Sequence, residues 1–221
     1  MDQETRQVLE RLLQRHGTTF SAELGIDLAE ETPSALFRWL CAALLMSARI
    51  SREAALSAAR ALTEAGWTTA ERMAESAWED RVAVLNRAGY ARYDESTARM
   101  LGDTAERLLE AHGGDLRELR AAAGRDPAEE RRRLKDFKGI GDVGADIFLR
   151  DLQTVWEEHF PLLDARARAG AARLGLPEDA ETLADWSGRE SFPALVTALL
   201  RAELDDLARE DLLGGAEAKT R

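Results

Sequence analysis

The most informative part of the chain reads Leu134-Lys135-Asp136-Phe137-Lys138-Gly139-Ile140-Gly141-Asp142-Val143-Gly144-Ala145-Asp146-Ile147. Its pattern predicts a helix that ends, a Gly-Ile-Gly turn, and a second helix that begins at once. Glycine at positions 139 and 141 allows positive φ and, because it lacks Cβ, lets another molecule approach the backbone. Ile140 would pack the hairpin onto its own core. The amides after the turn would point outward at a helix N-terminus, an arrangement that binds phosphate oxygens.

A second feature lies downstream, where the apolar run Phe160-Pro161-Leu162-Leu163 meets Asp164 at the start of a further predicted helix. An aspartate at this position is an ordinary helix N-cap, which stabilises a helix by about 1 kcal/mol. Gly-x-Gly is likewise common in plain tight turns between helices. Taken one at a time, the two features leave a structural and a functional interpretation open.

Together the two features resemble the helix-hairpin-helix superfamily of DNA glycosylases, which includes endonuclease III and the adenine-mismatch glycosylases. Phe137-Lys138-Gly139-Ile140-Gly141…Ala145 is similar to the family's Leu-Pro-Gly-Val-Gly…Ala hairpin. Phe160-Pro161-Leu162-Leu163-Asp164 resembles the segment that delivers the family's catalytic aspartate, and Arg173-Leu174-Gly175-Leu176 resembles what usually follows. A weaker similarity runs from Pro33 to His112.

The resemblance implies an all-α, two-lobed fold with a DNA cleft between the lobes. Residues 28–152 would form a six-helix barrel that ends in the helix-hairpin-helix motif. Residues 1–27 and 153–221 would form a second helical lobe that carries Asp164.

The resemblance also implies base-excision repair, in which the N-glycosidic bond of a damaged or mismatched base in double-stranded DNA is hydrolysed. Such an enzyme flips the nucleotide out of the duplex. A carboxylate then stabilises the positive charge that builds on the sugar and orients or deprotonates water, and Asp164 is the candidate for this role. The candidate DNA-binding residues are Lys138, Gly139, Ile140, Gly141, Val143, Gly144, Arg49, Tyr90 and Arg166.

Arg49 and Tyr90 are candidates because the family's loop residues at these positions fill the gap left by the flipped base or wedge the base stack open. Tyrosine is suited to stacking, and arginine to bonding an orphaned base. Their ordinary interpretations are a solvated helix end for Arg49 and a half-buried turn aromatic for Tyr90. Both interpretations stay open for each residue.

Three departures from the family pattern narrow the function. Val143 stands where strand-cleaving members carry a lysine, and valine forms no Schiff base, so we expect a monofunctional glycosylase. The C-terminal region has no cysteine, which excludes the iron–sulfur cluster of the endonuclease III branch. We therefore expect no cofactor and no metal. Asp142 and Asp146 oppose a phosphate, so a non-catalytic helix-hairpin-helix DNA-binding protein is the alternative, and a helical interaction protein a third.

The composition predicts helices almost throughout, because Leu, Ala, Arg and Glu dominate over β-branched and aromatic residues. We expect irregular structure over residues 17–31 and 214–221. The predicted helices are 4–15, 33–48, 51–65, 69–75, 77–87, 93–112, 115–123, 127–136, 144–157, 164–174 and 191–213.

The net charge of −11 at pH 7 argues against nonspecific binding to nucleic acid. Its distribution is uneven, because residues 131–173 contain nine basic and seven acidic side chains. This segment therefore carries +2 and the rest of the chain −13, so a polyanion should dock near it. No apolar run approaches the roughly 20 residues that span a bilayer, and the N-terminus has no signal-peptide core. We expect a cytoplasmic monomer.

Overall fold

A computed structural model describes residues 1–213, and the predicted irregular tail 214–221 lies outside them. Within the described range the secondary structure is helical and contains no strand, which confirms the all-α fold class. No helix in this range is long and apolar enough to cross a membrane. In chain order the helices are α1 (Gln3–His16), α2 (Phe20–Glu23), α3 (Pro33–Ser47), α4 (Arg52–Glu64), α5 (Ala70–Glu75), α6 (Trp78–Arg87), α7 (Asp94–His112), α8 (Leu116–Ala122), α9 (Pro127–Leu134), α10 (Asp142–Leu152), α11 (Ala165–Arg173), α12 (Ala180–Ser187), α13 (Phe192–Leu204) and α14 (Arg209–Leu213), with a 3₁₀ turn at Glu157–His159.

The chain divides into two compact units. The central unit is Leu24–Leu149, and the composite unit combines Met1–Glu23 with the part of the chain that begins at Arg150. The sequence places these boundaries after residues 27 and 152, a few residues later in each case.

The central unit is built around α3. Between Ala35 and Leu45 every residue except Arg38 is buried, because this part of the helix has almost no polar face. The helix begins where Thr32 accepts a hydrogen bond from the amide of Ala35. Helix α4 packs against α3, and α5 and α6 pack against α7. A helix that is apolar all round needs neighbours on every side, so α3 forms the core of this unit.

The composite unit is organised by α13, against which α1, α11 and α12 pack. The crossing of α11 and α13 is close, because a Cβ added at Gly170 would collide with the carbonyl oxygen of Leu199. Phe192 and Leu195, near the start of α13, are fully buried. This packing fixes the position of α11, whose N-terminus carries Asp164.

Candidate functional site

The predicted hairpin is formed by α9, the turn 135–141 and α10. Helix α10 begins at Asp142, two residues earlier than the sequence indicates, and the carbonyl of Gly141 accepts the amide of Ala145 at 3.0 Å. Phe137 and Ile140 are buried, with 2% and 4% of their surfaces exposed. Ile140 therefore packs the turn onto the central unit, as expected, and its side chain is not available to DNA.

The turn is held by the two helices below it. The Ser47 hydroxyl, at the end of α3, donates to the Leu44 carbonyl at 2.8 Å and lies 3.4 Å from the carbonyl oxygen of Gly139. The carbonyl of Lys138 accepts from the Thr104 hydroxyl of α7 at 3.5 Å. Both contacts with the turn are long for a hydroxyl hydrogen bond, and neither uses the amides that follow the turn.

The three glycines of the hairpin differ in whether the fold requires them. Gly139 has φ +92°, and a Cβ there would lie 2.8 Å from the Met100 sulfur. Gly144 is close to Ile140, with a Cβ-to-Cδ1 distance of 3.3 Å. Gly141 does not use the positive φ that glycine allows, and a Cβ there would meet nothing within 4 Å in the described chain. The fold of residues 1–213 therefore does not require glycine at position 141.

The first turn of α10 offers donors to solvent. Within residues 1–213 the amides of Asp142, Val143 and Gly144 have no protein acceptor, because the first amides of a helix lack an intrahelical partner. Val143 is 56% exposed and carries no amine. Asp142 and Val143 are exposed and Gly144 is buried, so the exposed part of this helix N-terminus directly follows Gly141.

The basic side chains of the hairpin are paired with acids. Lys138 Nζ lies 2.8 Å from Asp103 Oδ2, and Lys135 Nζ lies 2.8 Å from Asp142 Oδ1. The hydrogen bond from Lys135 lowers the pKa of Asp142 below its usual value. A phosphate that approaches the turn must compete with these carboxylates. A further pair joins Arg131 Nη1 and Asp146 Oδ1 at 2.7 Å.

Arg49 and Tyr90 both lie near the C-terminal end of α3, in the same unit as the hairpin. Arg49 is exposed, and its side chain has no hydrogen bond or ion pair within residues 1–213. Tyr90 is fully buried and donates its hydroxyl to the Leu45 carbonyl at 2.9 Å. Burial raises the pKa of Tyr90 to about 12. Tyr90 has no exposed ring face on which a base could stack, so we remove it from the candidate DNA surface and retain Arg49.

Asp164 is the N-cap of α11, in the composite unit. Its Oδ1 accepts the amides of Arg166 and Ala167, each at 3.0 Å. Its Oδ2 accepts from Arg150 Nη1 at 3.1 Å. The carboxylate is 7% exposed, whereas the Arg166 side chain is exposed and has no hydrogen bond or ion pair within residues 1–213. Asp164 is therefore a helix N-cap, which is the structural one of the two interpretations of this residue.

Arg150 is the functional candidate that sequence reasoning missed. Its side chain is 2% exposed, and its Nε lies 3.6 Å from Asp151 Oδ1. Burial raises the pKa of Asp151, although the charge of Arg150 opposes this. A signal existed, because Arg150 and Asp151 interrupt the apolar run Ile147-Phe148-Leu149, and a charge in such a run needs a buried partner.

Gln153 fixes the segment that leads to Asp164. Its amide is fully buried and accepts from the backbone amide of Leu162 at 2.7 Å. It also donates to the carbonyl of Leu162 at 3.2 Å and to that of Arg150 at 2.9 Å. Arg150 and Gln153, near the end of α10, thus hold two neighbouring points of the chain. Arg150 binds Asp164, the N-cap of α11, and Gln153 binds the backbone of Leu162.

The structure brings the hairpin residues 138–144 and Arg49 together in the central unit, whereas Asp164 and Arg166 belong to the composite unit. A comparison with models of known protein families finds no match, and a comparison with curated protein sequences finds none either.

Proposed function

We propose that this protein is a monofunctional DNA N-glycosylase with the two-lobed helix-hairpin-helix fold. It hydrolyses the bond between the sugar and a damaged or mismatched base in double-stranded DNA. Asp164 is the catalytic carboxylate, and the turn 138–144 with Arg49 and Arg166 holds the DNA. The six-helix barrel belongs to the same proposal and would comprise helices of the central unit.

The observation that carries the proposal is the hydrogen bonding of Asp164. Each carboxylate oxygen has two acceptor sites. The amides of Arg166 and Ala167 fill both sites on Oδ1, whereas Arg150 fills one site on Oδ2. Oδ2 therefore keeps one acceptor site on a carboxylate whose orientation is otherwise fixed.

That remaining site supports the chemistry. When the C1′–N bond breaks, its electron pair leaves with the base and positive charge develops on the sugar. A fixed carboxylate stabilises this charge without reorganising. The oxygen of water then bonds to C1′, while Oδ2 accepts the proton of the water and passes it to solvent.

The turn supports the same assignment independently. Gly141 is free of steric and backbone requirements in the described chain, yet it stands beside the exposed amides of Asp142 and Val143. Close approach of a DNA phosphate to the backbone would account for glycine at this position.

A non-catalytic DNA-binding protein is the second candidate, and a specific observation favours it. Asp164 already caps α11 and pairs with a buried arginine, which is sufficient for a purely structural role. The ion pairs of Lys135 and Lys138 also reduce the positive charge available to DNA. Binding to an abasic or mismatched duplex without release of a base would support this candidate.

The test is an excision assay on duplexes that carry oxidised, alkylated, deaminated or mismatched bases, with excess protein and alkaline cleavage of abasic sites. We expect a product on at least one lesion for the wild type and none for Asp164→Asn. Borohydride should trap no strong covalent adduct, because Val143 replaces the lysine. No product on any lesion, or equal product from Asp164→Asn, would reject the proposal.

Asp164→Asn needs a control for folding. The neutral asparagine side chain would pair less strongly with the buried Arg150 guanidinium than the carboxylate does. The double variant Arg150→Met, Asp164→Leu removes both charges of this ion pair at once, a change that is often neutral for stability. It also removes the N-cap of α11, at a cost of about 1 kcal/mol, and the guanidinium beside the buried Asp151. Its helix content and unfolding midpoint show whether a loss of excision reflects chemistry or unfolding.

A further inference from the structure

The structure assigns Arg150 as the positioning residue that orients the Asp164 carboxylate, and this inference deepens the proposed function. The guanidinium touches Asp164, and at 2% exposure it lies too deep to touch DNA. Arg150 would act through the Asp164 carboxylate, by fixing the direction in which the free acceptor site of that carboxylate points.

The geometry fixes the carboxylate at two points. The amides of Arg166 and Ala167 bind Oδ1, and a cap of this kind alone leaves the two oxygens free to exchange by rotation about χ2. The bond from Arg150 Nη1 to the other oxygen restrains that rotation, because it holds the carboxylate at a second point. The spare acceptor site therefore keeps one direction, whichever of the two equivalent oxygens carries it.

The surroundings of Arg150 favour orientation over stabilisation as its role. Its Nε and Nη2 are buried and have no hydrogen-bond partner within residues 1–213. Unsatisfied buried donors reduce stability, and replacing a buried ion pair by apolar side chains is often neutral or stabilising. The guanidinium carbon also lies 5.6 Å from the centre of the Phe20 ring, and Nε lies 3.6 Å from Asp151 Oδ1. Because this buried guanidinium adds little stability, we assign it the role of orienting the Asp164 carboxylate.

The first arm of the test needs no enzymatic activity. Hydrogen exchange of the Ala167 amide reports the cap, and exchange of the Thr182 amide, capped by Asp179 at 2.8 Å in the same unit, is the internal reference. In Arg150→Met we expect the Ala167 amide to exchange about fivefold faster relative to the Thr182 amide, the effect of weakening one helix cap. Arg150→Lys, which keeps a cation, should restore part of the protection.

Arg81→Met is the matched control for lost stability. Arg81 is also a buried arginine, 7% exposed, but it lies in the central unit and donates to the carbonyls of Ala98 and Met73. It should lower the unfolding midpoint and leave the ratio of the Ala167 and Thr182 exchange rates at the wild-type value. If Arg150→Met behaves in the same way as Arg81→Met, Arg150 is only structural and the inference is overturned.

The second arm measures excision on a lesion that the wild type processes. Arg150→Met should lower the single-turnover rate on the order of 100-fold, as misplacing a catalytic group does. The dissociation constant for an abasic duplex should stay within twofold of the wild type, and Arg150→Lys should recover part of the rate. An unchanged rate, or an equal loss in Arg81→Met, would contradict the inference. If the wild type releases no base, the proposed function fails, while the exchange arm still decides whether Arg150 orients Asp164.

Discussion

Lys135 Nζ donates a hydrogen bond of 2.8 Å to Asp142 Oδ1, and Asp142 is the first residue of α10. The carboxylate thus stands at the helix N-terminus whose amides we assign to a DNA phosphate. A negative charge is favoured at this end of a helix, so Asp142 occupies the electrostatic place that a phosphate would take. If the hairpin binds DNA as we propose, the phosphate has to displace the Asp142 carboxylate or bind beside it.

Asp142→Asn should therefore bind DNA more tightly than the wild type. The substitution removes a repelling charge and frees Lys135, so the slope of log K against log salt should become steeper by about one. The measurement is fluorescence anisotropy of an abasic-site duplex at several salt concentrations. Asp80→Asn, which removes an exposed acid on α6, is the control for net charge. Equal behaviour of the two variants would show that the turn does not contact phosphate.

Gly141→Ala tests whether glycine at position 141 is required by the fold or by a bound ligand. A Cβ at Gly141 meets nothing within 4 Å, so the free energy of unfolding should change by no more than about 1 kcal/mol. Affinity for the abasic duplex should fall about tenfold or more, because a methyl group would block the charged hydrogen bonds of the exposed amides. Urea unfolding and anisotropy on one sample give both numbers.

The comparison variant is Gly139→Ala. Position 139 has positive φ and contacts Met100, so alanine there should lose stability as well as binding. If Gly141→Ala binds the abasic duplex as tightly as the wild type does, neither the fold nor DNA binding requires glycine at this position.

The helices and the hairpin were largely readable from the sequence because their signals are local. Caps and glycines mark the turn, and Asp164 was recognisable as an N-cap from its place before a helix. Helix α10 was predicted to run to residue 157 and ends at Leu152. The buried Trp156 and the clamp of Gln153 on Leu162 are tertiary contacts, and they override the helical composition of residues 153–157.

Other features could not be read locally. The pairing of Arg150 with Asp164 joins residues 14 positions apart and on different helices. The burial of Tyr90 depends on a hydrogen bond to the distant carbonyl of Leu45. Helix α12 was missed although Asp179 and Thr182 form a readable cap. The short α2 lies within residues 17–31, which the sequence predicts to be irregular.

Asp151 predicts a specific pH dependence of stability. Burial raises the pKa of this carboxyl above 3.8, so the charged form disfavours the fold. A raised folded-state pKa gives stability that is present below the unfolded-state pKa and is lost as the pH rises through the folded-state pKa. The unfolding free energy of Asp151→Asn minus that of the wild type should therefore increase with pH from 3.8 upward.

Urea unfolding of both proteins at a series of pH values measures this difference. The exposed substitution Asp80→Asn is the control for the change in net charge. A difference for Asp151→Asn that stays constant or decreases with pH would show that Arg150 outweighs desolvation.

Gly170→Ala tests the packing that positions α11. The added methyl group would collide with the backbone of Leu199, which cannot rotate away as a side chain could. We expect a loss of stability of about 1–3 kcal/mol or more from overpacking. The neighbouring exposed substitution Ala169→Ser should stay within about 0.5 kcal/mol of the wild type. Thermal unfolding of the two variants gives the comparison, and equal midpoints would contradict the close crossing.

The most direct test of base excision by Asp164 is the mass-spectrometric detection of free base released from lesion-containing duplex DNA. Wild type and the double variant Arg150→Met, Asp164→Leu are compared at equal, excess concentration in a single turnover. We predict a free damaged or mismatched base from the wild type and none from the folded double variant. Release of the same base at the same rate by both proteins, or by neither, would contradict the assignment of this protein as a DNA glycosylase that works through Asp164.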